Sequence, residues 1–194
     1  MDALFSLEQF FCSRGMPVPH FNERIAPLFT PLNVQKGTQL VTPFEKCQHY
    51  YFIAQGALRI FSLSRSGEEI CRYFAFENMF ITALPAFIEN REAEEYLEAI
   101  EESSLLQIKR NDFYDLVEND PFFAKLYREK LEEGFTNAQR RIYSFQGEDT
   151  EEKVLWIMRN QAELLERITG KMLASYLGIS PSTLSRLKKR LGLI

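Results

Sequence analysis

The sequence holds only two histidines and three cysteines among 194 residues, which leaves little to build a reactive centre from. Cys12, Cys47 and Cys71 are odd in number, far apart and in no CxxC pair. Neither a disulfide framework nor a zinc or iron–sulfur cluster is indicated, and buried thiols are expected. His20 and His49 are isolated in the same way and lack the partners that a metal or haem would need, so hydrogen-bonded structural roles are expected. There is no serine–histidine–acid set, phosphate loop or dinucleotide fingerprint, so the chain does not read as an enzyme and no cofactor is indicated. Also missing is any stretch of about twenty apolar residues, and the start, MDALFSLEQFFCSRG, has no basic leader or small-residue cleavage site. A cytoplasmic protein with no membrane partner is expected.

What is present is enough apolar material, 45% of the residues, to bury a real core in one large domain or two small ones. The net charge of −4 hides a strong polarity. From Lys171 to Ile194 there are five basic residues (Lys171, Arg186, Lys188, Lys189 and Arg190) and no acidic one; the preceding 170 residues carry 27 acidic against 18 basic side chains. A basic tail on an acidic body suits contact with nucleic acid, because phosphate neutralisation supplies most nonspecific affinity.

Three textures follow one another along the chain. After short helices expected near Leu4 to Cys12 and around Phe21 to Phe29, the stretch from about Thr30 to Lys109 reads as β. Its segments TPLNVQ, TQLVTP, HYYFIAQ, ALRIFSLS, EEICRYFA, EYLEAIE and SLLQIKR are short and rich in β-branched or aromatic residues, with turn signals at Lys36-Gly37, Gln55-Gly56 and Ser66-Gly67. Seven or eight such strands imply an antiparallel β-roll, barrel-like or jelly-roll-like. A short helix from Asn111 to Glu118 should follow, and then Asp120-Pro121, a strong helix start with Asp as N-cap. From there Phe123, Tyr127, Leu131, Phe135, Ala138, Ile142 and Phe145 recur every three or four residues and draw one apolar stripe along a helix over 121–145. That stripe could pack on its own β domain or on the same helix of a second subunit; a homodimer is the expectation. Gln146-Gly147-Glu148 should break the helix, and Asp149 with Glu152 resembles a capping box for the next one, which carries Val154, Leu155, Ile157 and Met158. Gln161 to Ile168 reads as a connection or an extra turn. The expected domains are therefore 1–118, a linking helix over 119–146, and 147–194.

The segment TGKMLASYLGISPSTLSRLKKRLGLI then predicts two short helices joined by a tight turn. The first, Lys171 to Leu177, turns Leu173, Ala174 and Leu177 inward, with Ala174 small because the second helix crosses there. Gly178 ends it, Ile179 plugs the angle, and Ser180-Pro181 opens the second helix, which runs to Leu191, buries Leu184, Leu187 and Leu191, and stops at Gly192. At 1.5 Å per residue that helix is roughly 16 Å long and suits a major groove about 12 Å wide. Ser182, Ser185 and Arg186 are expected at base edges, with Arg186 bidentate to a guanine; Lys171, Ser180, Thr183, Lys189 and Arg190 are expected at phosphates. The pattern implies a helix-turn-helix that binds double-stranded DNA. The alternative is a ligand-binding signalling module whose helical tail contacts a protein instead.

With LASYLGISPSTLSRLKKR in place, the chain resembles the Crp/Fnr family of bacterial transcription regulators over essentially its whole length, in the form found in members from Bacteroidetes. The resemblance implies an α+β architecture: a β-roll effector domain of the cyclic-nucleotide-binding type, a long dimerisation helix and a C-terminal winged helix-turn-helix, with RNA polymerase as a protein partner. The chain ends at Ile194, so any wing should be short. Family recognition helices typically begin Ser-Arg-Glu-Thr with an arginine three residues later; here the same places read Ser180-Pro181-Ser182-Thr183 and then Arg186. The arginine is kept and the Arg-Glu pair is not, which implies a different operator. Nucleotide-binding members carry a Gly-Glu pair and an Arg-Ser or Arg-Thr step, whereas here NMFITALPAFIENREAEEYLEAIEES has Arg91 followed by Glu92, Glu94 and Glu95. That charge opposes a phosphate and tells against cyclic AMP. Another, unknown small-molecule effector stays open, with Phe80, Ile81, Phe87, Arg91 and Tyr96 as its expected lining.

Overall fold

The computed structural model describes residues 2–147, 150–160 and 162–192, and these form an α+β chain with two antiparallel sheets and a long helix. Two compact units emerge. One consists of Met1–Ser62 and Tyr73–Leu126, the other of Leu63–Arg72 and Tyr127–Ile194.

In the first unit, helix α1 (Ala3–Cys12) starts where the Asp2 carboxylate accepts a bond from Leu4 N at 3.1 Å. Its apolar residues Leu7, Phe10 and Phe11 fall on one side and are all buried. The single helix expected around Phe21 to Phe29 is instead three tight turns: an α-turn (α2, Val18–His20), a π turn (Phe21–Ile25) and a 3-10 turn (Ala26–Leu28). Pro17, Pro19 and Pro27 supply no backbone N–H, so a continuous bonding ladder cannot form there.

Eight strands follow: β1 (Phe29–Val34), β2 (Gln39–Val41), β3 (His49–Gln55), β4 (Leu58–Leu63), β5 (Glu69–Ala75), β6 (Phe80–Ile81), β7 (Tyr96–Ala99) and β8 (Ser103–Lys109). They make two four-stranded sheets, in the orders β1-β8-β3-β6 and β2-β7-β4-β5. Register decides what each face carries. Phe52 stands opposite both Leu106 and Phe80, which gathers them on one face of the first sheet. Helix α1 lays Phe10 against that face, with ring centroids 5.4 Å from both Phe52 and Phe80. The β3–β4 turn allows glycine alone: Gly56 has φ +103°, and a Cβ there would stand 2.7 Å from the Cα of Ser103.

Helix α3 (Leu84–Glu89) lies between β6 and β7, and helix α4 (Arg110–Asn119) follows β8. Asp120 then caps α5 (Pro121–Gly147) as expected: Oδ1 accepts from Phe123 N at 2.9 Å, and Oδ2 lies 2.6 Å from His20 Nε2. Phe123 is buried, stacked 6.0 Å from Phe11, whereas Leu131, Phe135 and Ile142 are exposed and Phe135 is 68% open. The predicted stripe is therefore covered at its start and bare beyond it. Gly147 still belongs to the helix, and the Phe145 side chain lies outside what is described.

The second unit adds α6 (Thr150–Asn160), α7 (Ala162–Arg167), α8 (Gly170–Leu177) and α9 (Pro181–Arg190). Val154 and Ile157 of α6 are buried, as are Ile168, Leu173, Ala174, Tyr176, Leu177, Leu184 and Leu187; Leu155 and Met158 are half-buried. Glu148, Asp149, Gln161 and anything past Gly192 lie outside the described residues, so the capping box and the short wing are not described. Among the described residues no helix is long and apolar enough to cross a membrane.

Candidate functional site

The α8–α9 pair is assembled from local bonds that its residue types dictate. The Thr169 hydroxyl accepts from Met172 N at 3.2 Å and starts α8 one residue earlier than expected, at Gly170. Thr169→Ala should lower stability by about 1 kcal/mol, read from the denaturant midpoint, and Thr169→Ser should restore most of it. Gly178 closes α8 in the left-handed conformation, φ +70°, and Ile179 N reaches back to Ala174 O at 3.0 Å. Ala174 has no exposed surface, so α9 can pack closely over it. The Ser180 hydroxyl accepts from Thr183 N at 3.1 Å, and Pro181 occupies the first turn. Leu184 and Leu187 are buried, Leu191 is half-buried at the C-cap, and Gly192 follows in the left-handed region.

Burying those leucines leaves the opposite face of α9 open. Ser182, Ser185, Arg186 and Lys189 are all exposed, and their spacing of three, one and three residues keeps them on one side of a 3.6-residue helix. Lys171 is exposed at the start of α8. Three of the expected phosphate contacts, Ser180, Thr183 and Arg190, are involved in internal bonds. Ser180 Oγ lies 2.9 Å from Ser182 Oγ and 2.8 Å from Thr183 Oγ1, a cluster of three hydroxyls at the helix N-terminus. Arg190 pairs with Glu151 of α6. Nothing local in the sequence signalled Glu151, which lies 39 residues away. The pair is solvent-accessible and of low strength, so a phosphate can compete for the guanidinium.

The residues expected to line an effector hollow are not gathered in one place. Phe80 packs in an aromatic cluster with Phe10, Phe52 and Tyr50. Phe87, on α3, is wholly buried, its ring 5.3 Å from Tyr50 and 5.4 Å from Phe113. Phe87 thus fills core, whereas Phe80 is half-buried within its cluster. Ile81 is buried beside Tyr51, and Tyr96 lies on the other sheet, stacked 4.7 Å from Phe61. Arg91 is part-exposed and bonded to Glu89 and, at 2.7 Å, to Glu94; those carboxylates, Glu89 foremost, hold its guanidinium still more firmly protonated.

Sequence reasoning missed Arg59. It is almost fully buried on β4, bonded to Glu98 at 2.8 Å and set 4.2 Å from the centre of the Phe61 ring. It falls in an apolar-looking run, so only the register with β7, where Arg59 faces Glu98, reveals it. The thiols of Cys47 and Cys71 are buried, as expected, and Cys12 is half-buried. Burial pushes the Cys47 thiol up despite its bond to Thr82 at 2.9 Å, which favours an unreactive group. Burial, with Lys109 nearby, lowers the pKa of His49.

Residues 31–120 match the family model described as cyclic nucleotide-binding domain. No curated protein sequence matches the chain. Solved structures resemble it in fold. The regulator CLP of Xanthomonas campestris, described as c-di-GMP responsive, is 16% identical over 90% of this chain and 92% of that one, with a TM-score of 0.72. FixK2 from Bradyrhizobium japonicum is 17% identical over 85% of each chain, TM-score 0.72. A transcriptional regulator of the Crp/Fnr family from Eubacterium rectale is 18% identical over 90% of this chain and 87% of that one, TM-score 0.71.

A cyclic nucleotide needs donors for its anionic phosphate, and the stretch between β6 and β7 does not offer them. Ala83 brings no capping side chain to α3, Pro85 removes an amide from its first turn, and Arg91 is flanked by Glu89 and Glu94, whose combined charge exceeds its own and opposes an anion. The residues present do not fit that group.

Proposed function

We propose that this protein is a homodimeric, sequence-specific DNA-binding regulator of transcription of the Crp/Fnr type. The observation that carries this reading is the outward face of α9, where Ser182, Ser185, Arg186 and Lys189 stand exposed on a helix fixed at its start by Ser180 and along its back by Leu184 and Leu187. Such a face presents hydrogen-bonding and cationic groups to a groove, and its buried back keeps the helix from rolling.

The bare part of α5 supplies the partner. Leu131, Phe135, Ala138 and Ile142 are separated by four, three and four residues, the alternation of a coiled-coil seam, and all four are exposed. A seam with that repeat is self-complementary, so the occupant that fits it is the same helix of a second copy, packed over 121–145. Half-sites for the two α9 helices should then lie about 34 Å apart, one turn of duplex. Residues 1–118 then act as the effector domain, 119–146 as the dimer helix and 147–194 as the DNA-reading part, with RNA polymerase as the downstream partner. An effector works by binding one arrangement of the two α9 helices better than another.

Fluorescence anisotropy on a labelled random duplex, titrated at rising salt, tests the reading. Binding should fall steeply, with a log–log slope of about −4 or steeper, because each neutralised phosphate contributes about −0.9. Negligible binding at low salt would instead assign the helical tail to a protein partner.

A further inference from the structure

Strand β5 is the outermost strand of its sheet, next to β4 alone. On an edge strand alternate residues direct their N–H and C=O away from the sheet, and these groups need a partner. At Glu69 and Cys71, two residues apart on that strand, one side chain meets both needs. Ser175 Oγ donates to Glu69 O at 2.6 Å and accepts from Cys71 N at 2.9 Å. The hydroxyl bonds as a neighbouring strand would. It comes from the last turn of α8, where a serine would ordinarily bond back to its own helix. The hairpin tip, Leu63–Arg72, accordingly belongs to the same compact unit as the C-terminal helices.

The other side of α8 carries Leu173, Ala174 and Leu177, which are buried where α9 packs. Ser175 and this buried side flank a single helix, so the tip of the β4–β5 hairpin is one helix diameter from the groove-reading element. We infer that Ser175 is a positioning residue: it makes the hairpin tip part of the DNA-reading body and sets the orientation of α8, and through it that of α9. The inference rests on the proposed DNA-binding role. It adds a contact inside the DNA-reading unit that fixes how α8 and α9 are held.

The test uses the full-length protein and Ser175→Ala, which removes the hydroxyl and adds no bulk. Hydrogen exchange should quicken at least tenfold at the Cys71 amide. In the second arm, both proteins are titrated against duplexes whose two half-sites are stepped apart one base pair at a time. The parent should show one preferred spacing. In Ser175→Ala the ratio of best to worst spacing should fall at least threefold, since a loosened α8 no longer holds α9 at one angle. A purely structural loss would lower binding at every spacing alike. Unchanged exchange at Cys71 would overturn the tie itself. Faster exchange with the parent's spacing profile would overturn the positioning role. A parent protein that bound no duplex at any spacing would overturn the DNA-binding reading and the positioning role with it, whatever the exchange result.

Discussion

Phe135→Asp is expected to turn the protein into a monomer in sedimentation and to weaken its hold on a two-half-site duplex by about two to four orders of magnitude. The size follows from bivalency. Once one α9 is bound, a second α9 held on the same dimer binds at an effective concentration far above that of free protein, and a monomer forfeits that gain without losing a single DNA contact. Phe135 is the residue to change because it is 68% exposed in the centre of the bare seam, between Leu131 and Ala138. In the single chain the substitution removes no buried contact, so the fold should be preserved and the melting temperature of the β-roll little altered. In a dimer it sets two carboxylates against apolar partners, and a buried unpaired charge is not tolerated. Affinity for a single half-site should stay near that of the parent. A variant that still sedimented as a dimer would place the self-contact elsewhere.

Arg186→Ala should cost about 1–3 kcal/mol per half-site and relax preference at one base position in each. Arg186 is exposed one turn into α9, on the face shared with Ser182, Ser185 and Lys189. A guanidinium can give two parallel bonds to a guanine, which an ammonium cannot match, so Arg186→Lys should recover little of the preference. Replacing Lys189, expected at a phosphate, should instead weaken all sequences evenly and make the salt slope shallower by about one. Selection from a random duplex pool followed by competition titrations separates the two patterns. Equal loss on every sequence for Arg186→Ala would remove it from the base edges.

The elements legible in the sequence are those in which one periodicity runs long enough to be seen. HYYFIAQ is β3 residue for residue, and the α8–α9 pair follows its own caps, because Gly178, Ser180 and Pro181 each act on their immediate neighbours. Strand β6 has two residues and shows no alternation, and α3 begins without a capping side chain, so neither announces itself. The same limit explains the effector residues. Phe80 and Phe87 are large and apolar and fall in the stretch expected to form the hollow. Whether a phenylalanine faces a hollow or fills the core depends on what packs against it, and here that is α1 for Phe80 and α4 for Phe87, 70 and 26 residues away. Partition of the chain into consecutive segments meets a similar limit at Leu63–Arg72, whose neighbours are helices a hundred residues later.

The Arg190–Glu151 pair bears on how long a complex would last. A carboxylate already in contact with the last arginine of α9 is a competitor carried on the protein itself, always within reach and undiluted. In the proposed DNA complex, each time a phosphate contact at Arg190 loosened, Glu151 could recapture the guanidinium before the phosphate returned, and the end of α9 would peel first. Such an arrangement would shorten residence on any one site while leaving the encounter rate to the other cations, which would suit a regulator that must leave its operator as readily as it finds it.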